Sequence, residues 1–141
     1  MTLSEIIARL EAATGPDREL DAEIAVYLGW QRPDAKRPYA WTRPIGPDGS
    51  VTTCNDSFIP RYTASVDAAA TLLLPGWRVE KLSFGKHVNA ERDYCHCTLE
   101  RDCYTADRDL DDDEATEIEA LNLTTAPLAL CAAALRARSA Q

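Results

Sequence analysis

Five prolines in the segment 31–60 constrain the fold of this 141-residue chain more than any other feature. They stand at positions 33, 38, 44, 47 and 60. A proline inside a helix removes a backbone hydrogen bond and collides with the preceding turn, so a long helix cannot cross this segment. The turn sequence IGPDG lies between YAWTRP and SVTTC. This pattern predicts a β-hairpin or an ordered loop.

Apolar residues recur at helical spacing on both sides of the proline-rich segment. The stretch TLSEIIARLEAA at 2–13 predicts an amphipathic helix. A second helix is predicted to follow, with Asp17 as its N-cap. The stretch 60–77 predicts a third helix with Ser65 as its N-cap. Near the end of the chain, Pro127 opens a fourth helix at the first-turn position that proline favours.

Two later stretches, WRVEKLSF and ERDYCHCTLERDCY, predict strands. The predicted order is therefore helix, helix, hairpin, helix, strand, strand, helix. Antiparallel strands packed with helices predict an α+β fold, a small layered sandwich in which residues 1–141 form a single domain. Within it we expect a proline-rich hairpin or loop at 31–60 and an acidic loop at 105–120.

The negative charge of the chain is concentrated in one segment. The net charge is −8, and DRDLDDDEATEIE at 107–119 accounts for −7 of it. An acidic chain of this kind is a poor candidate for binding a phosphate backbone, so we expect no stable nucleic-acid binding. Residues 32–43 are an exception, because they combine four basic residues with Tyr39 and Trp41.

The sequence predicts a cytoplasmic protein with no membrane partner. No apolar run reaches the roughly 18–20 residues that span a bilayer, and the first residues lack the basic and apolar pattern of a secretion signal. Five cysteines without such a signal favour reduced thiols over disulfides.

The stretch DYCHCTLERDCY raises the question of a metal site. On a strand, Cys95 and Cys97 share one face and His96 lies on the other, which predicts buried cysteines and an exposed histidine. We therefore expect neither a metal nor another cofactor. The alternative is a metal site that recruits three further residues: Cys103, Cys54 and His87.

The sequence contains none of the common catalytic motifs, and we expect no catalytic residues. A binding role has better support, because several residues combine planar rings with guanidinium groups, which suit nucleobases and phosphates. The predicted ligand-binding residues are Tyr39, Trp41, Arg43, Arg61, Tyr62 and Trp77. For Trp77, which follows a helix-ending glycine, a place in the core is the favoured alternative.

The stretches 6–30, 60–77 and 125–140 resemble small proteins encoded by phages and prophages of alphaproteobacteria, similar to the phage ABA (α/β/α) sandwich domain. The resemblance implies a phage protein acting in the host cytoplasm, and it carries over no catalytic residues. The acidic segment and the cysteine-rich strand depart from the family pattern.

Together these observations suggest a non-enzymatic phage accessory protein that counters host defence. We expect it to form a homo-oligomer and to sequester a nucleotide-derived immune signal in a pocket between the protomers. One alternative is a protein-interaction module in which the acidic segment 107–119 contacts a basic host protein or mimics DNA. A third alternative is a metal-dependent enzyme.

Overall fold

The computed structural model describes residues 1–86, 93–101 and 117–140. Within these ranges it contains four α-helices, two antiparallel sheets and one short 3-10 turn at Asp56–Phe58, which confirms the predicted α+β fold. The helices are α1 (Leu3–Ala12), α2 (Arg18–Tyr27), α3 (Val66–Ala70) and α4 (Ala126–Ser139). The strands are β1 (Ala40–Pro44), β2 (Val51–Asn55), β3 (Trp77–Lys86), β4 (Asp93–Arg101) and β5 (Glu117–Leu123).

The first two helices begin at side-chain caps. Thr2 and Glu5 form a reciprocal capping box at the start of α1. Asp17 caps α2 as predicted, because its carboxylate accepts hydrogen bonds from the backbone N–H groups of Glu19 and Leu20. These bonds satisfy donors that would otherwise have no partner in the first helical turn.

The proline-rich segment forms the predicted β-hairpin. Strands β1 and β2 pair antiparallel, with Trp41 opposite Cys54. Gly49 takes a positive φ of 79°, which a residue without a Cβ adopts at no steric cost. On the other edge of β1, Gln31 and Thr42 form an isolated antiparallel bridge, so the chain leaving α2 is tied to the hairpin.

The predicted helix at 60–77 is much shorter in the structure. Only Val66–Ala70 is helical, although Ser65 is the N-cap as predicted. The N–H groups of Leu72 and Leu73 bond to carbonyls three residues earlier, so the last turn tightens and the helix does not continue. The prediction of a continuous helix over this stretch is therefore wrong.

Strands β3, β4 and β5 form a three-stranded antiparallel sheet in that order. The sequence predicted β3 and β4 but not β5, since residues 117–120 were assigned to an acidic loop. In the structure these residues are in a strand, with Ala120 buried and Glu119 exposed. The remainder of that predicted loop, residues 105–116, lies outside the described residues.

Helix α4 is the centre of the domain. Nine of its fourteen residues are buried, so the helix is enclosed on nearly every side. It packs on β4 and β5 and contacts α1 and α3. Near its end, the Arg138 side chain donates to the Leu72 carbonyl at 3.0 Å, and Arg136 bonds to Glu11 and to the Glu119 carbonyl.

A buried carboxylate connects α2 to the turn before α3. Asp21 is 2% exposed, and its Oδ1 accepts the Thr63 N–H at 2.7 Å and the Thr63 hydroxyl at 2.9 Å. The Thr63 hydroxyl in turn accepts the Asp17 N–H at 2.9 Å. These bonds fix the chain between the hairpin and α3, because buried polar groups are costly when they have no partner.

Among the described residues, every helix is too short or too polar to cross a bilayer.

Replacing the buried carboxylate should destabilise the domain. We expect Asp21→Ala to lower the free energy of unfolding by about 2–4 kcal/mol, because the Thr63 N–H and hydroxyl lose their buried acceptor. Urea denaturation monitored by circular dichroism measures this change. Asp67→Asn is the matched control, since Asp67 is exposed in the first turn of α3, and its loss should stay below about 1 kcal/mol. Equal losses for both variants would contradict the prediction.

Candidate functional site

The proline-rich segment forms a groove of about 650 Å³ on the surface of the domain. Tyr39 and Trp41 line it together with Arg32, two prolines and residues 55–57. The volume lies within the range of small-molecule binding sites. Every residue lining the groove belongs to the segment between α2 and α3, so this part of the chain forms a candidate binding site.

Trp41 forms the inner wall of the groove. It is 2% exposed and belongs to the hydrophobic core, and its indole N–H donates to Asp56 Oδ1 at 3.0 Å. The hydrogen bond satisfies the polar end of a buried ring, as tryptophan requires. It also joins β1 to the short turn that follows β2.

Arg32 is held against this wall by two glutamates. Its guanidinium carbon lies 5.6 Å from the centroid of a Trp41 ring, within the range of a cation–π contact. Its Nη2 donates to Glu19 and Glu23 of α2 at 2.7 Å each. The hydrogen bond to Glu19 is the main cause that raises the pKa of Arg32. The arginine is therefore positioned from both sides.

Tyr39 differs from Trp41 in its exposure. Its side chain is 82% exposed, although it lies only two residues from the buried tryptophan. Both residues line the groove, Tyr39 from the turn that precedes β1 and Trp41 from β1 itself. The groove therefore has one fixed aromatic wall and one ring that is open to a partner.

A second groove of about 350 Å³ shares Arg32 with the first and contains Lys36 and Arg37. Asp34 Oδ1 accepts the backbone N–H groups of both basic residues at 2.9 Å, which fixes their turn. Neither Lys36 nor Arg37 forms an ion pair with any residue that the structure describes. Their charges are available to an anion.

The structure brings only two of the six predicted ligand-binding residues into the aromatic groove. Arg43 is exposed farther along β1, and Arg61 is exposed before α3. Tyr62 and Trp77 belong to the core, with exposures of 3% and 8%. For Trp77, the placement agrees with the core alternative.

Sequence reasoning missed the residues that complete the groove. Arg32 and Asp56 were not among the predicted site residues, yet they contact Trp41 from two sides. The mixture of basic and aromatic residues at 32–43 was the signal for Arg32. No sequence signal pointed to Asp56, because strand pairing in the hairpin brings it to Trp41.

The cysteines of β4 are buried as predicted. Cys95 and Cys97 have exposures of 5% and 0%, on the face that packs against α4. Burial raises the pKa of the Cys97 thiol to about 11, and it also raises the pKa of Cys131. These thiols stay protonated at neutral pH, and a protonated thiol is neither a nucleophile nor a good metal ligand.

His96 is not freely exposed, contrary to the prediction. Its ring packs on Tyr94 with centroids 4.8 Å apart. Its Nε2 is inaccessible to solvent and has no hydrogen-bond partner among the residues that the structure describes. Cys103 and His87, which the alternative metal site requires, lie outside the described residues. Within the described ranges, no group of three or more potential ligands could hold a metal ion.

The acidic segment 107–119 is described only from residue 117 onward. Glu117 and Glu119 are exposed on β5. The hypothesis of an interaction module at this segment therefore stays a prediction.

The buried Cys97 thiol should make stability depend on pH in the alkaline range. Its pKa rises from 9.0 in the absence of burial to about 11 in the fold, so the unfolded chain loses this proton first as the pH increases. The stability that the protonated Cys97 thiol contributes is intact below pH 9 and is lost between pH 9 and 11. Over that range the free energy of unfolding falls by up to about 1.4 kcal/mol per pH unit. Urea denaturation should show a shallower decline for Cys97→Ala than for the wild type. Identical slopes would contradict the assignment.

Neither a family model, a curated protein nor a solved structure matches this chain. The resemblance to phage ABA sandwich proteins thus stays a prediction, and the candidate site is defined by its own geometry. That geometry is an aromatic groove with an exposed tyrosine, a braced arginine and an adjacent basic groove.

Proposed function

We propose that this protein binds a small nucleotide-type ligand without transforming it, and that the ring of the ligand stacks on the exposed Tyr39 in the aromatic groove. The observation that carries the proposal is the exposed Tyr39 ring beside a groove of about 650 Å³. Stacking of one base on an aromatic side chain contributes about 1–3 kcal/mol. An exposed planar ring at a concave surface is well suited to this contact.

The bracing of the groove supports a binding role. Glu19 and Glu23 hold Arg32, Arg32 lies over Trp41, and Trp41 bonds to Asp56. A wall fixed in this way loses little conformational entropy when a ligand arrives, which increases affinity.

The charge near the groove supports an anionic ligand. Lys36 and Arg37 lie in the adjacent groove, which shares Arg32 with the aromatic one. Positive charge concentrated at a concave surface increases the local concentration of anions and their association rate. A small nucleotide carries its own phosphate and suits this arrangement, whereas a long nucleic acid would meet the acidic remainder of the chain.

The proposed biological role is sequestration of a nucleotide-derived immune signal of the host. The phage resemblance of the sequence supports this role, and binding is sufficient for it. A protein present in excess over its ligand lowers the free ligand concentration by mass action. The proposal includes a homo-oligomer, because a second protomer would cover the open side of the ligand next to Tyr39. Native mass spectrometry of the protein measures its oligomeric state and any retained ligand together.

Removing the exposed ring should weaken binding. We expect Tyr39→Ala to reduce the affinity for nucleotides by about 5- to 100-fold, which corresponds to the loss of one stacking contact. Isothermal titration with nucleoside monophosphates and cyclic dinucleotides measures the change. Phe58→Ala is the matched control, because Phe58 is 72% exposed in the same segment but does not line the groove. No binding to the wild type, or equal losses in both variants, would refute the proposal.

Neutralising the basic groove should affect only charged ligands. In the double variant Lys36→Gln, Arg37→Gln, we expect the affinity for a nucleotide to fall at least about fivefold and to depend less on salt. The affinity for the corresponding nucleoside should not change, because the aromatic groove is intact. Lys81→Gln on β3 is a control for the net charge of the protein. If nucleotide and nucleoside lose affinity equally, the two basic residues do not contact the phosphate.

A further inference from the structure

Asp56 presents an unused carboxylate oxygen at the aromatic groove. Its side chain is exposed and lines the groove, and its Oδ1 accepts the Trp41 indole N–H at 3.0 Å. The described residues form no hydrogen bond or ion pair with Oδ2. The bond from Trp41 fixes the orientation of the carboxylate and leaves one oxygen free for a ligand.

The backbone at Asp56 is also held in place. Its carbonyl oxygen accepts a hydrogen bond from the Arg18 guanidinium, which bonds as well to the Pro60 carbonyl at 3.2 Å. The carboxylate is therefore positioned both through its side chain and through its main chain. A ligand that enters the groove meets an acceptor whose place is already set.

A carboxylate accepts hydrogen bonds and donates none. It therefore favours a ring whose edge carries N–H groups. One N–H group can bond to the free Oδ2, and an adjacent one can bond to the second lone pair of Oδ1, beside the Trp41 indole N–H. Guanine carries such a pair at N1 and N2. Adenine and cytosine place a ring acceptor next to their amino group, and that acceptor would face the carboxylate unfavourably.

Asn55 adds a complementary group beside Asp56. Its exposed side chain also lines the groove, and its amide carries two donors. The carbonyl oxygen at C6 of guanine, which neighbours N1, is an acceptor for such a donor. The two consecutive residues thus offer an acceptor and a donor to a base in the groove.

The positive charge in the groove does not compete for this carboxylate. Arg32 is already bonded to Glu19 and Glu23, and it lies over Trp41. The inner part of the groove therefore suits a neutral ring with donor groups, while a phosphate group would be attracted to Lys36 and Arg37.

We infer that Asp56 and Asn55 select a guanine-type base, with its N1 and N2 hydrogens directed to the carboxylate. This inference rests on the proposed stacking of a nucleotide at Tyr39, and it specifies the ligand class. The preference comes from hydrogen bonds that only this edge can complete, because an unmatched polar group at the site reduces the affinity of other bases.

The test compares the guanosine, inosine and adenosine 5′-monophosphates by isothermal titration. All three carry the same phosphate, so differences in affinity report the base. We expect the guanine nucleotide to bind at least about tenfold more tightly than the adenine nucleotide, with the hypoxanthine nucleotide between them because it lacks the N2 amino group.

Asp56→Asn tests the assigned residue. The amide oxygen can still accept the Trp41 N–H, while the NH₂ group replaces the free acceptor. The variant should bind the guanine nucleotide about tenfold more weakly and the adenine nucleotide unchanged or more tightly. Asp67→Asn, at an exposed position of α3, is the matched control and should change neither affinity. Urea denaturation of the variants verifies that each is folded.

The outcomes separate this inference from the proposed function. Equal binding of the three nucleotides would overturn the inference and leave the proposed function standing. A guanine preference that survives Asp56→Asn would overturn the role of Asp56. If the protein binds none of the three monophosphates and no cyclic dinucleotide, both the inference and the proposed function are overturned.

Discussion

The buried carboxylate of Asp21 is the interaction on which the rest of the structure depends. It accepts two hydrogen bonds from Thr63, while Thr63 accepts one from the backbone of Asp17. The chain between these residues contains the whole hairpin and its groove. Both ends of that segment are tied to one buried group, so the hairpin is anchored to the helical core. Within the described ranges its own strands pair only with each other and with Gln31.

Helix α2 positions the candidate site through its polar face. Glu19 and Glu23 hold Arg32 on one side of the groove, while Arg18 bonds to the backbone at Asp56 on the other. Individual exposed ion pairs contribute little to stability, typically below about 1 kcal/mol. Their role here is orientation: they keep the arginine, the tryptophan and the carboxylate in a fixed relation, and a pre-formed site loses less entropy on binding. The same helix thus links the core to the groove.

Much of the fold followed from local patterns. Asp17, Ser65 and Pro127 were predicted at helix starts, and the segment around IGPDG was predicted as a hairpin or an ordered loop. These features depend on neighbouring residues, so a sequence reveals them. The helix predicted over 60–77 was too long, because the backbone tightens into bonds between residues three apart after Ala70 and the helix does not continue. Strand β5 was missed because its acidic surroundings masked the apolar residues Ile118 and Ala120.

The sequence by itself determined the helix caps, the hairpin, the burial of the β4 cysteines and two residues of the groove, Tyr39 and Trp41. Only the tertiary structure decided which aromatic residues stay accessible: Tyr62 and Trp77 have the same chemical character as Tyr39, yet they are packed in the core. It also decided that Asp56, fifteen residues from Trp41, completes the site. Which of several similar rings is covered, and which distant residue pairs with it, depend on contacts between distant segments, and no local pattern encodes those contacts.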